Sequence, residues 1–312
     1  MAQRVTNAMM ISHFNRNLHA NTARMDRFQA QLANNRKIVR LSDDPVGVIK
    51  SLNARSRIES LEQYKRNLAD AQGWLTQSET AVSELNEILK RVYELSVSLA
   101  NEVKTPEDRQ AAAYEIKELM EQVVTLGNTT LGDKYLFGGY NVTRAPFAVN
   151  EDGELTFNKL SMVRATDRVD LNELDTIIKY EIGFGIDMPI SISGVDLMGL
   201  DDHNIYAQIQ NFYLAANAND LEDLTPFIGI FQSMQKSVIT VQAEIGGRQN
   251  RLEMMNERFE QDIINYTKMK SDVEDLDQAE AIMHYSMAEA VYRAALSVGG
   301  RILQPTLVDF LR

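Results

Sequence analysis

The chain of 312 residues contains no cysteine, which excludes disulfide bonds, thiolate metal sites and cysteine nucleophiles. No apolar run approaches the roughly 18 residues that indicate a transmembrane helix. The chain also lacks a dense cluster of lysine and arginine, and its formal net charge is -12. A nucleic acid or an anionic membrane is therefore not expected as a partner, because neither would offset the charge repulsion.

Groups that could carry catalysis or bind a metal are few and scattered. The histidines form no H-x-x-x-H pair and stand in no acidic cluster with ligand spacing. The serines of the middle region have no glycine elbow beside them, so a hydrolase site has no support. The sequence predicts no enzyme, no cofactor, no metal site and no small-molecule substrate. The four histidines are His13, His19, His203 and His284, and the serines are Ser161, Ser191 and Ser193.

Two short stretches of the middle region resemble ligand-binding loops only in part. Asn150-Glu-Asp-Gly-Glu lacks the alternating acids of a calcium loop, and its Asp152-Gly153 pair predicts a hairpin turn. Gly183-Phe-Gly185 lacks the third glycine of a nucleotide loop, and it predicts a kink in a strand.

Two long heptad seams flank the middle of the chain. Apolar or small residues recur at spacings of three and four in the first half and of seven in the second. A second column of apolar residues stands three residues after most positions of the later seam, and Arg248 and Asp262 interrupt that column. The seams predict two long helices packed against each other. The first seam is Leu61, Tyr64, Leu68, Ala71, Leu75, Ser78, Val82, Leu85, Leu89, Val92, Ser96, Leu99 and Val103, and the second is Leu224, Phe231, Val238, Ile245, Leu252, Phe259, Tyr266 and Val273.

The stretch RLSDDPVGVIKS, at residues 40–51, predicts a joint between two helical pieces. Ser42, Asp43 and Asp44 can each accept hydrogen bonds from free backbone amides, and Pro45 suits the first position of a helix. Thr105-Pro106 predicts a second restart, with Thr105 as the cap of a helix that runs to about Leu126 and folds back along the first.

Nine of the sixteen glycines lie between Gly127 and Gly199, where short β-like runs replace the heptads. The predicted fold is therefore mainly α, a long antiparallel coiled-coil helical rod built from both chain ends, with a small inserted β-rich domain. The predicted domains are terminal helices at 1–42 and 277–312, a helical rod at 43–134 and 201–276, and a β-rich domain at 135–200.

Both ends of the chain carry looser apolar stripes with heptad-like spacing. A free chain would expose such stripes, which usually indicates a binding partner. We predict that they form contacts between subunits. The residues are Ile11, Phe14, Leu18, Met25, Phe28 and Leu32 at the start, and Met287, Val291, Ala294, Val298, Leu303, Leu307, Phe310 and Leu311 at the end.

Five segments give the chain a resemblance to the flagellin family. They are RVTNAMM at 4–10, SDDPVG at 42–47, SVSLANEVKTPEDRQAAAYEI at 96–116, YLFGG at 135–139 and TLVDFLR at 306–312. The order and spacing of these segments make the resemblance specific. It covers roughly residues 1–139 and 224–312.

The resemblance implies a structural protein of the bacterial flagellum that is exported without a cleaved signal peptide. Within the family, SDDPVG and YLFGG favour a subunit of the junction between hook and filament, which templates flagellin assembly. The implied partners are a neighbouring hook-associated protein, flagellin, further copies of the chain in a ring, and a cytoplasmic export chaperone on the C-terminal region. SDDPVG would form the joint between two layers of helices.

Three other functions are compatible with the same patterns. A filament flagellin is the nearest alternative. An extended secreted adhesin would need a binding face within residues 135–200, which the sequence does not display. A cytoplasmic coiled-coil scaffold would use the heptads, but it would not need apolar stripes at both ends of the chain.

Overall fold

The computed structural model describes residues 7–100, 105–163, 176–218 and 221–302. Helices fill most of these ranges, which confirms the predicted mainly α fold. No helix within the described ranges is long and apolar enough to cross a membrane. The helices are α1 (Asn7–Asn34), α2 (Pro45–Leu99), α3 (Pro106–Gly127), α4 (Gly194–Met198), α5 (Ile205–Ala218), α6 (Leu221–Glu274) and α7 (Gln278–Ile302).

The described strands lie between α3 and α4 and form small antiparallel sheets. β1 pairs with β2, β3 to β5 follow one another in a meander, and β6 pairs with β7. The strands are β1 (Thr130–Leu131), β2 (Lys134–Tyr135), β3 (Phe147–Val149), β4 (Leu155–Phe157), β5 (Leu160–Ser161), β6 (Lys179–Gly183) and β7 (Ile186–Pro189).

The first heptad seam lies on the buried face of α2. Its positions from Leu68 to Leu99 are all buried, and Leu61 and Tyr64 are partly buried; Val103 lies outside the described residues. The two serines of the seam are accommodated because each hydroxyl donates to a carbonyl of its own helix, Ser78 to Trp74 at 2.9 Å and Ser96 to Tyr93 at 2.7 Å. The seam prediction for α2 is confirmed over these positions.

The second seam lies on α6, where every seventh residue from Leu224 to Phe259 is buried. α6 runs antiparallel to α2, since Gln249 donates to Glu79 at 2.9 Å and Lys65 pairs with Glu260 at 2.9 Å. Arg248, which interrupts the second column, donates to the carbonyls of Ser191 at 3.1 Å and Pro189 at 3.4 Å. Arg248 therefore links α6 to the end of β7 and to the residues that follow it.

α3 begins as predicted from Thr105-Pro106. The Thr105 hydroxyl accepts a hydrogen bond from the Asp108 amide, and the Asp108 carboxylate accepts one from the Thr105 amide, which completes a capping box. Arg91 of α2 donates to Glu115 of α3 at 2.6 Å. Arg91 also pairs with Glu94 of its own helix at 3.3 Å. The hydrogen bonds to Glu115 and then to Glu94 raise the pKa of the Arg91 guanidinium.

The two glycine-containing stretches of the middle region are both hairpin turns. Asp152-Gly153 connects β3 to β4 with Gly153 at φ +82°, which confirms the prediction there. Gly183-Phe-Gly185 connects β6 to β7 with Gly185 at φ +66°. The stretch is therefore a turn, and the predicted irregularity of the strand lies at its first residue, since the register shifts between Glu181 and Gly183.

The chain divides into two compact units, Met1–Ser60 with Gln261–Arg312 and Leu61–Glu260. In the second unit, side chains of α2, α3, α5 and α6 form one buried cluster with those of the β region, including Phe147, Phe157 and Ile182. The three-domain boundaries predicted from the sequence stay a prediction.

Replacing Phe157 with alanine tests whether the β region and the helices unfold together. Phe157 is fully buried in the shared cluster, so its loss should cost about 3–5 kcal/mol of unfolding free energy. Helicity, measured by circular dichroism, and the fluorescence of Trp74, the single tryptophan, should be lost in one transition at a lower denaturant concentration.

Phe184→Ala is the matched control, because Phe184 lies in the same region but is 86% exposed. Its effect should stay within about 0.5 kcal/mol. A Phe157→Ala variant with an unshifted Trp74 transition would indicate an independently folded β domain.

Candidate assembly surface and joint

Residues 35–44 connect α1 to α2, and their role as a joint between domains stays a prediction. Asp44 caps α2, since its carboxylate accepts a hydrogen bond from the Gly47 amide at 2.9 Å, and Pro45 is the first helical residue. Asp43 closes the preceding turn by accepting from the Arg40 amide at 3.0 Å, while Ser42 is exposed. A Cβ at Gly47 would lie 2.9 Å from the Ile38 side chain, so the small residue lets the chain turn tightly.

A second joint, between α6 and α7, lies beside the first. Asp277 caps α7 by accepting from the Ala279 amide at 2.9 Å and the Glu280 amide at 3.1 Å. The two joints are tied by their backbones, because the Lys37 amide donates to the Glu274 carbonyl at 2.8 Å and Arg36 pairs with Asp275 in a β-bridge. The segment that connects α1 to α2 and the segment that connects α6 to α7 are therefore held against each other by backbone hydrogen bonds.

The Glu274 carboxylate anchors this double joint to α2. Arg55 donates to both of its oxygens, at 2.7 and 2.6 Å, and the Ser51 hydroxyl also donates to it. Partial burial raises the pKa of the Glu274 carboxyl, but the hydrogen bonds from Arg55 and Ser51 and the charges of Arg55 and Arg36 outweigh burial. The pKa of Glu274 therefore lies below its usual value, and the carboxylate is charged at neutral pH.

α1 packs along α7 of the same chain. All six predicted N-terminal interface residues, from Ile11 to Leu32, are half-buried there. Phe14 lies over Gly299, and the Phe28 ring stacks on His284 with ring centroids 5.5 Å apart. The N-terminal stripe is thus half-buried against α7 of the same chain rather than fully exposed, and its role in contacts between subunits stays a prediction.

The opposite face of α7 is uncovered. Met283, Met287, Val291 and Val298 are each more than half exposed, and Ala290 and Ala294 lie exposed between them. We call these six residues the α7 stripe. Leu303, Leu307, Phe310 and Leu311 lie outside the described residues. The structure therefore leaves the predicted C-terminal positions Met287, Val291, Ala294 and Val298 open to a partner, and their role in subunit contacts stays a prediction.

The paired terminal helices leave one apolar surface exposed. Among the described residues, no group of three or more histidine, aspartate or glutamate side chains is arranged to hold a metal ion. What the arrangement provides is an apolar stripe of six residues between Met283 and Val298, which gains free energy when another helix removes it from water.

Comparison with known proteins relates the chain to flagellar proteins. The bacterial flagellin N-terminal helical region matches residues 5–142. Flagellar hook-associated protein 3 of Escherichia coli (strain K12) is 24% identical over 303 residues, with 94% of each chain covered. The flagellar filament 30.7 kDa core protein of Treponema maltophilum is 21% identical over 294 residues, also with 94% of each chain covered.

Solved structures share the fold. FlgL of Bacillus cereus has a TM-score of 0.57 at 21% identity, and the similarity covers 70% of this chain and 99% of that one. The flagellar junction protein FlgL of Legionella pneumophila has a TM-score of 0.59 at 14% identity, with 74% and 100% covered.

Substituting Glu274 with glutamine should loosen the double joint. The variant loses the charged acceptor of Arg55, which weakens the local structure by about 1–2 kcal/mol. Trypsin should then cut at Arg36, Lys37 or Arg40 about fivefold to thirtyfold faster. Asp272→Asn removes an exposed carboxylate from the same helix and should leave the rate unchanged. Equal cleavage of the two variants would mean that Glu274 does not hold the joint.

Adding a methyl group at Gly299 should separate α1 from α7. A Cβ there overlaps the Phe14 ring, whereas a Cβ at the neighbouring Gly300 meets nothing within 4 Å. Gly299→Ala should weaken the helix pair by about 1–3 kcal/mol, seen as faster hydrogen exchange of α1 amides. Gly300→Ala adds the same methyl group without a clash and should preserve the protection. Unchanged exchange in both variants would contradict this packing.

Proposed function

We propose that the chain is a structural subunit of the bacterial flagellum, because its residues 5–142 match the flagellin N-terminal helical region. Its place is the junction between hook and filament, where it templates flagellin assembly. Support comes from the similarity to hook-associated protein 3 of Escherichia coli, which covers 94% of both chains and so includes both terminal regions.

The α7 stripe is the observation that supports a role in assembly. From Ala281 to Gly300 the helix has only two charged residues, Glu289 and Arg293, and these pair with each other at 2.5 Å. With α1 on one side, the remaining apolar side chains face solvent. Burying each large one contributes about 1.5–3 kcal/mol, so a neighbouring subunit gains substantially by covering the stripe.

The proposed partners follow from this position. Copies of the chain would form a ring, a hook-associated protein would adjoin one side, and flagellin would adjoin the other. We further propose export without a cleaved signal peptide, and a cytoplasmic chaperone that covers the apolar C-terminal region before assembly. The role is mechanical, with no catalytic step.

A filament subunit is the second candidate. The Treponema maltophilum filament core protein matches the chain with the same 94% coverage and with similar identity, 21% against 24%. The two roles differ in copy number, because a ring needs few subunits and a filament needs thousands.

Deleting the gene distinguishes these roles. If the chain is a junction subunit, the deletion strain should build hooks and secrete flagellin into the medium without retaining filaments. Electron microscopy of the cells and immunoblotting of the medium measure this. A strain that keeps its filaments would contradict the proposal, and loss of the main filament protein itself would favour the second candidate.

Complementation of that strain tests the α7 stripe. Val291→Glu places a charge in the middle of the stripe and should abolish filament attachment, while the purified monomer keeps its helicity and melting temperature. Ser286→Glu adds the same charge to an exposed position outside the stripe and should restore motility. Full motility with Val291→Glu would mean that the stripe is not an assembly contact.

A further inference from the structure

A basic groove lies between the first turns of α2 and the last turns of α6. It has a volume of about 490 Å³, and its lining includes Lys50, Asn53 and Arg57 of α2 with Tyr266 and Met269 of α6. Exposed apolar side chains continue it along α2, since Val46 is 63% and Ile49 is 60% exposed. The groove thus combines positive charge with apolar surface.

The charge of this groove contrasts with that of the whole chain. The basic residues that line the groove are Lys50 and Arg57, both on α2, and residues 45–57 contain no acidic residue. Arg55 is held by Glu274, while Lys50 and Arg57 are exposed. In a chain with a net charge of -12, such a site is matched to a negatively charged partner.

An acidic face of matching character lies on α3. Glu107, Tyr114, Glu118 and Glu121 are spaced by seven, four and three residues, so they lie on one side of the helix. All four are exposed, and Tyr114 adds an apolar ring that is 64% exposed. Glu115 lies off this side and is already paired with Arg91, and the exposed Lys117 lies at its edge, four residues before Glu121.

We propose that the acidic face of α3 in one copy docks into the basic groove of a neighbouring copy. The two surfaces match in charge, in their central apolar side chains and in length, since Glu107–Glu121 and Val46–Arg57 extend over about 21 and 17 Å. This inference rests on the proposed assembly role and adds a contact distinct from the α7 stripe.

Cross-linking between copies tests the contact directly, because the chain has no cysteine of its own. One copy carries Asn53→Cys in the groove and a co-expressed copy carries Ala111→Cys, an exposed position on the acidic face. Both replace the native gene in the deletion strain. A short bis-maleimide should give a dimer band from sheared flagella. The control pairs Asn53→Cys with Asp133→Cys, an exposed position in the turn between β1 and β2, and should give none.

Charge reversal supplies the second test, in the same cysteine background. Lys50→Glu or Glu118→Lys alone should lower the dimer yield about tenfold, because like charges then face each other. Combining Lys50→Glu with Glu118→Lys should restore the yield. Circular dichroism of each purified variant checks that the fold is unchanged.

Absence of the Asn53–Ala111 dimer, or equal yields for the single and double charge variants, would overturn the contact. Binding to phosphatidylglycerol vesicles that Lys50→Glu abolishes, without a dimer band, would overturn it in favour of an anionic membrane. These failures are distinct from failure of the proposed function: a deletion strain that keeps its filaments rejects the junction role, whereas normal complementation without the cross-link rejects only this contact.

Discussion

Burial of the two heptad seams on α2 and α6 is the interaction on which the rest of the structure depends. Each helix is about 80 Å long, and an isolated helix is marginal in water without a packed face. From Leu68 to Leu99 and from Leu224 to Phe259, the seams supply that face and share one buried cluster with the β region. The hydrogen bond from Arg248 to the Ser191 carbonyl helps fix the β region on this support.

The ends of the same two helices determine what the terminal helices can do. Glu274 stands at the last residue of α6, and its bonds to Arg55 and Ser51 fasten both joints to α2. With the joints held, α1 lies along α7 and covers one side of it. The apolar stripe of α1 is therefore half-buried against α7, whereas the α7 stripe stays open to a partner.

Local and periodic features were predictable from the sequence, and distant pairings were not. The seams follow from spacing, and the caps at Asp44 and Thr105 follow from neighbouring residues. The bond between Arg55 and Glu274 joins residues 219 positions apart, and no local pattern indicates it. Periodicity marks Ile11 to Leu32 as an apolar face, from which exposure in a free chain and contact between subunits are expected. It does not specify that the chain's own α7 half-buries this face.

The distribution of charge reconciles solubility with assembly. A net charge of -12 makes copies of the chain repel one another at long range, which opposes indiscriminate association through the α7 stripe. The basic groove and the acidic face of α3 carry opposite charges. They lower this repulsion only when two copies meet in the orientation that brings the two surfaces together. Apolar contact can then supply affinity while charge selects geometry, because surface ion pairs alone contribute little.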